Sequence, residues 1–198
     1  MKRIFKFLFI LGFILSAIGF VRISYYQAKA ALAQHLMQGA WQQQLDKKHS
    51  KNSTEDLSPI KPWSWADTWP VLELRLPSIS SNHLVLKDSS GQSLAFGPGI
   101  LNPENYPGDI GNSFIAAHRD THFSNITELK INDPVEIIDR FGQQTKFSID
   151  IIKIIDSRIE QPEFISNERR VTLVTCYRFD ESQSNSPFRY LVSAVLVN

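Results

Sequence analysis

The chain is expected to fold as an all-β protein, an eight-stranded closed or nearly closed barrel preceded by a helical N-terminal region. Three observations predict this. From Val71 onward the apolar residues come in short runs, often alternating with polar ones and separated by Pro, Ser or Gly. Eight such runs fit into about 130 residues, which is ample for one buried core. Helical signal in the same stretch is confined to a turn near Asn125–Lys130, and many short strands with regular turn signals indicate a barrel.

The expected strands are, in order, VLELRL (71–76), HLVLKD (83–88), QSLAF (92–96), SFIAAH (113–118), PVEIID (134–139), TKFSIDIIKII (145–155), VTLVTC (171–176) and RYLVSAVLV (189–197). No repeat period is visible. The last strand is apolar on both faces, as expected where a barrel is partly covered outside. Ahead of the strands, Trp63, Trp65 and Trp69 are expected to pack the entrance of a domain spanning 66–198, with rest against a lipid surface as the alternative.

The N-terminal region divides by composition. Residues 7–21 read FLFILGFILSAIGFV without a charge, roughly 22 Å of helix against a hydrocarbon core of ~30 Å. Ile4, Phe5 and Ile23 lengthen the run if Lys6 and Arg22 snorkel. Residues 1–24 thus read as a single-pass anchor. Lys2, Arg3 and Lys6 hold its N-terminus in the cytoplasm, so the rest of the chain is expected outside. A cleaved leader is the rival reading, since Ala28-Lys29-Ala30 resembles a cleavage site, though one set far from the apolar run. Residues 25–65 read as a helical stalk, with a thin stripe of Leu32, Leu36, Ala40 and Gln43, followed by a polar linker.

Charge excludes little and suggests no nucleic acid: the formal net charge is +1, with +4 on residues 1–22 and −3 on the remainder. The cysteine count says more. An exported domain built on disulfides carries an even number, whereas this chain has Cys176 alone. Such a thiol is either a small buried hydrophobe or a working group. Strand order bears on the choice: if the last two strands pair as antiparallel neighbours, the end of one lies beside the start of the next. Cys176 and Arg189 then share a rim. Among the five histidines, His118 ends an apolar run and opens into a polar turn, where catalytic groups are commonly displayed. His35 and His49 fall in the stalk and linker, and His83 opens a strand. One thiol and scattered imidazoles lack metal-ligand spacing, so no metal is expected.

These residues resemble the sortase family. FIAAHRDTHF (114–123) is similar to its histidine motif, TLVTC (172–176) matches its TLxTC cysteine motif, and SPFRYLV (186–192) is similar to the arginine strand that follows. Phe96-Gly97-Pro98-Gly99 is also similar to a family segment, and the HRDTHF run resembles Gram-negative members. The resemblance covers about residues 70–198. It implies a sortase-like barrel and a cysteine transpeptidase acting on an exported protein with a C-terminal, LPxTG-like sorting signal. Cys176 would form a thioester, which an amine acceptor (a cell-wall precursor or another protein) would resolve; no cofactor is implied. His118 would act as acid and then base, and Arg189 would hold substrate or stabilise the oxyanion. Two cations beside a thiol favour the nucleophilic thiolate.

By the same resemblance Thr175 is a candidate for substrate or oxyanion contact. Asp120 either orients His118 or is a turn residue. Where the family often carries a second aromatic and a proline, this chain has His122 and Arg178. His122 would line the entrance or replace the aromatic; Arg178 would contact substrate or remain a solvated loop charge. Two other classes compete. An L,D-transpeptidase would carry its cysteine in an SxGC-like context, which is absent. An inactive membrane-tethered barrel would not need all three polar groups.

Overall fold

The computed structural model describes residues 2–49, 58–102, 105–161, 167–177 and 186–197. The chain forms two compact units, Met1–Leu36 and Met37–Asn198. Helix α1 runs unbroken through Lys2–His49, consistent with a segment that lacks proline and is rich in Ala, Leu and Gln. The segments expected as anchor and as helical stalk are both helical. Among the described residues no helix is long and apolar enough to cross a membrane. The expected span includes Phe5, Phe7, Leu8, Leu11 and Ile23, whose side chains lie outside the described set.

Within the second unit the end of α1 is a packed element. Met37, Ala40 and Trp41 are all but inaccessible, and the buried Gln44 accepts a hydrogen bond from the Ile60 amide through Oε1 at 3.2 Å. The stripe drawn through Leu32, Leu36 and Gln43 is therefore displaced, with Leu32 58% exposed. Large apolar area decides which face is covered, and Met37 and Trp41 carry more of it than the alanines around them. The three tryptophans also differ from expectation. Trp63 meets Phe96 edge-on at 5.6 Å and Trp69 packs against the main core beneath Lys87, but Trp65 is 80% exposed.

The barrel strands are β1 (Pro70–Leu76), β2 (Ser81–Leu86), β3 (Gly99–Ile100), β4 (Gly111–Ala116), β5 (Pro134–Asp139), β6 (Gln144–Asp156), β7 (Arg169–Cys176) and β8 (Phe188–Leu196). They close in the order β1-β2-β3-β4-β7-β8-β6-β5. Seven of the eight expected strands are present with shifts of a few residues at their ends. The exception is QSLAF. Ser90 caps a single helical turn, α2 (Gly91–Leu94), by accepting from the Ser93 amide, a local bond that competes with strand pairing. Its place in the barrel is taken by β3, where a side chain at Gly99 would put Cβ 2.0 Å from the Asp88 carbonyl. Only glycine fits there. The turn expected near residues 125–130 is a 3-10 turn at Ile126–Glu128.

Two apolar layers lie on the two faces of the sheet. The interior contains Leu72, Leu74, Ile115, Phe147, Leu173 and Val192 among others. A small second cluster, Phe114, Ile155, Val174 and Leu191, comes from the opposite phase of β4, β6, β7 and β8. Both phases of these strands are thus apolar for a reason: the barrel wall is buried on both sides here. Below this cluster on the same face, the buried Thr172 hydroxyl lies within hydrogen-bonding distance of Asn112 Oδ1 (2.8 Å) and Ser193 Oγ (2.9 Å).

Candidate active site

Position follows from register. β7 and β8 are antiparallel, and Cys176 and Arg189 are direct cross-strand partners. β4 and β7 are parallel, from Gly111 opposite Arg169 to Ala116 opposite Val174. That offset of 58 residues outlasts the strands. The Ala117 amide donates to Val174 O, Thr175 Oγ1 donates to Ala117 O at 2.7 Å, and Arg119 Nη1 donates to Tyr177 O at 3.2 Å. His118 lies in the middle of this ladder, at the level of Cys176. Because the sheet runs β4-β7-β8, the cysteine stands between the histidine and the arginine.

Phase agrees. His118 follows Phe114 and Ala116, Cys176 follows Thr172 and Val174, and Arg189 precedes Leu191 and Ser193. All three therefore belong to the face that carries the second apolar cluster, at the rim where that face ends. Cys176 is a free thiol, half-buried, and His118 is exposed. Arg189 is half-buried and is held against its own loop: Nη1 donates to Ser186 O at 2.6 Å and Phe188 O at 2.9 Å. Its Nε and Nη2 have no hydrogen bond among the described residues, so one edge of the guanidinium is fixed while the other is available to a ligand.

The other candidates distribute differently. Thr175 points into the barrel, is 2% exposed, and commits its hydroxyl proton to Ala117, which makes it a brace between the two strands. Its phase is opposite to that of Cys176, which separates it from the site. Asp120 is exposed and makes no hydrogen bond or ion pair among the described residues, neither to the His118 ring nor to the backbone of its turn. Arg178 lies outside the described residues.

His122 turns toward His83, ring centroids 5.7 Å apart and nearly perpendicular, and His83 also meets Phe123 edge-on at 6.1 Å. The two imidazoles border a cavity of about 160 Å³ lined also by Leu76, Ile79, Phe123 and Ile126. Burial, with the neighbouring His122 a second cause, pushes the His83 imidazole down to about 4. Burial also lowers His122, with the His118 imidazole a second cause.

Sequence reasoning passed over His83, Arg119 and Tyr177. The Tyr177 amide donates to Phe188 O at 2.9 Å, and its ring stacks on Tyr190 at 6.3 Å. Adjacency to His118 and Cys176 was the signal available for Arg119 and Tyr177. For His83 there was none, because its neighbours come from distant sequence. Among the described residues no group of His, Cys, Asp and Glu assembles that could hold a metal ion.

A model of the sortase domain matches residues 74–197, more than half of the chain. Sortase D of Bacillus subtilis (strain 168) is 28% identical over 120 residues, an alignment covering 60% of this chain and 60% of that protein. Sortase A from Corynebacterium diphtheriae superposes with a TM-score of 0.57 at 22% identity, covering 85% of each chain. Clostridium perfringens sortase C, solved with the C-terminal cell wall sorting motif, superposes with a TM-score of 0.58 at 17% identity, over 86% of this chain and 90% of that one. With that family model matched, and a thiol, an imidazole and a guanidinium at one rim of a closed barrel, the chain belongs to the sortase family.

Proposed function

We propose that the protein is a transpeptidase that cleaves a C-terminal, LPxTG-like sorting signal of an exported protein through a thioester on Cys176 and passes the acyl group to an amine. The observation that carries this reading is the placement of Cys176 between His118 and Arg189 by the order β4-β7-β8. The Cys176 thiolate attacks the scissile carbonyl carbon, and the carbonyl electrons move onto oxygen. Arg189, through the guanidinium edge not engaged by Ser186 and Phe188, faces that developing charge. The C–N bond breaks as the imidazolium of His118 protonates the departing amine. In the second half an amine acceptor gives its proton to His118 and attacks the thioester, and Cys176 leaves as thiolate. The acceptor is a cell-wall precursor or an amine on another protein. The sorting motif bound to the C. perfringens enzyme supports this substrate class by analogy.

The test is covalent capture. Wild type incubated with a peptide bearing an LPxTG-like sequence should gain the mass of the N-terminal fragment, and hydroxylamine should release it as the hydroxamate. Cys176→Ala should gain nothing. Equal capture by the two proteins refutes the nucleophile.

We further propose that residues 1–24 anchor the protein in a bacterial inner or cytoplasmic membrane, with the barrel outside. The charge-free run 7–21 supports this, as does the exposure of Phe9, Phe13, Leu15, Phe20 and Val21 on α1, each above 60%. Retention in the membrane fraction after carbonate extraction is the expected result; release of the full-length chain would overturn it.

A further inference from the structure

The residue that follows the nucleophile, Tyr177, is held through both its amide and its carbonyl. On one side the Tyr177 amide donates to Phe188 O, which fastens it to the strand that carries Arg189. On the other, Arg119 Nη1 donates to the Tyr177 carbonyl at 3.2 Å, a bond spanning 58 residues of sequence. Arg119 is the residue after His118, and it is half-buried, so this contact is made out of full solvent. The β4–β7 ladder has ended by then: Ala116 and Val174 are its last paired residues, and His118 and Cys176 stand beyond it. Past the last backbone bond, from the Ala117 amide to Val174 O, two side-chain bonds bracket this level, Thr175 to Ala117 just inside and Arg119 to Tyr177 just outside. The Phe123 amide donates to His118 O and closes the turn behind the histidine, but it holds that turn to itself and not to β7.

From this geometry we infer that Arg119 is a positioning residue: its guanidinium clamps Tyr177, the residue after the nucleophile, to the histidine loop through the Tyr177 carbonyl and so fixes the approach of His118 to the thiol. The inference rests on Cys176 and His118 acting as proposed above. Arg119 need not touch substrate for this. Its effect is confined to the geometry of the reacting pair, where a displacement of an ångström or so costs up to roughly a hundredfold in rate. The same loss would not arise from a residue that only stabilised the fold, because folded enzyme would then turn over normally. A compact lysine can replace the charge and one donor but not the reach and plane of the guanidinium.

The experiment uses the full chain in detergent, a fluorogenic peptide bearing an LPxTG-like sequence, and hydroxylamine as acceptor. Arg119→Met, Arg119→Gln and Arg119→Lys are compared with wild type in kcat, KM and thermal melting. Arg119→Met and Arg119→Gln are expected to lose roughly ten- to a hundredfold in kcat with KM within about twofold, and Arg119→Lys to recover part of the loss. Should Arg119→Met fail to fold, the polar Arg119→Gln decides the matter. A folded variant with wild-type kcat overturns the inference, as does a loss carried by KM alone. So does an Arg119→Lys as slow as Arg119→Met. Wild type failing to trap the peptide on Cys176 in the same assay would instead refute the reading of the enzyme itself.

Discussion

Replacing His83 by glutamine should remove one identifiable source of acid instability. His83 lies near the start of β2, with its Nε2 2.7 Å from Ser81 Oγ and its ring against His122 and Phe123. Burial, followed by the proximity of His122, holds it down to about 4 against an ordinary 6.5. The folded protein therefore keeps this ring neutral at pH values where the unfolded chain would protonate it. Between 6.5 and 4 the unfolded state binds the extra proton, so stability is intact above pH 6.5 and falls as the pH drops through that window. A tenfold difference in proton affinity corresponds to about 1.36 kcal/mol, so the loss attributable to His83 reaches about 3 kcal/mol at pH 4. Partial contact of the ring with water makes that an upper figure. Urea unfolding of wild type and His83→Gln at pH 7.5, 5.5 and 4 measures it. Carboxylate titrations are shared by the two proteins and cancel in the difference. Wild type should lose about 2–3 kcal/mol more than the variant across the window. Parallel losses would refute the reasoning and place the acid sensitivity elsewhere.

Three substitutions test other parts of the molecule. Arg189→Ala should slow acylation by about 10²–10³-fold, read in the peptide-capture assay, with little change in melting temperature, if its guanidinium meets the oxyanion as proposed. Thr175→Val should cost about 1–3 kcal/mol in denaturant unfolding by leaving the Ala117 carbonyl without the hydroxyl at 2.7 Å; an unchanged midpoint would show that the brace is dispensable. Gly99→Ala should destabilise by about 3 kcal/mol, since its Cβ would fall 2.0 Å from the Asp88 carbonyl and β3 has only two residues over which to adjust.

The barrel was legible because alternation is a local property. Leu72, Leu74 and Leu76 announce β1 within a few residues, and Pro134–Asp139 lies where its pattern predicts. Where a local bond competes with alternation, the pattern misleads. QSLAF alternates well enough for a strand, yet Ser90 captures the Ser93 amide and turns the chain into a helix, while the true strand is two residues around a glycine. The end of α1 was misplaced for a different reason. Leucine positions suggested one stripe, but the covered face is set by Met37 and Trp41, and only tertiary contact reveals which side of an Ala- and Gln-rich helix is buried.

The site divides in the same way. Cys176 and Arg189 could be brought together from sequence order, because their strands are consecutive and antiparallel neighbours are the commonest pairing. His118 could not: β4 and β7 are parallel, with the 3-10 turn at Ile126–Glu128, β5 and β6 between them, and no local rule sets a register across 58 residues. Motif resemblance named His118, and the ladder accounts for it physically. A parallel ladder keeps one offset along its length, so residues just beyond its end remain level only if something holds them. Thr175 and Arg119 are placed to do this on either side of the His118–Cys176 level. One points into the barrel and the other lies out in the loop, so their single and double substitutions form a cycle with a clear expectation. If both serve one function, holding the pair level, the double variant Thr175→Val/Arg119→Met should lose less kcat than the product of the single losses. Full additivity would mean that each acts on catalysis separately.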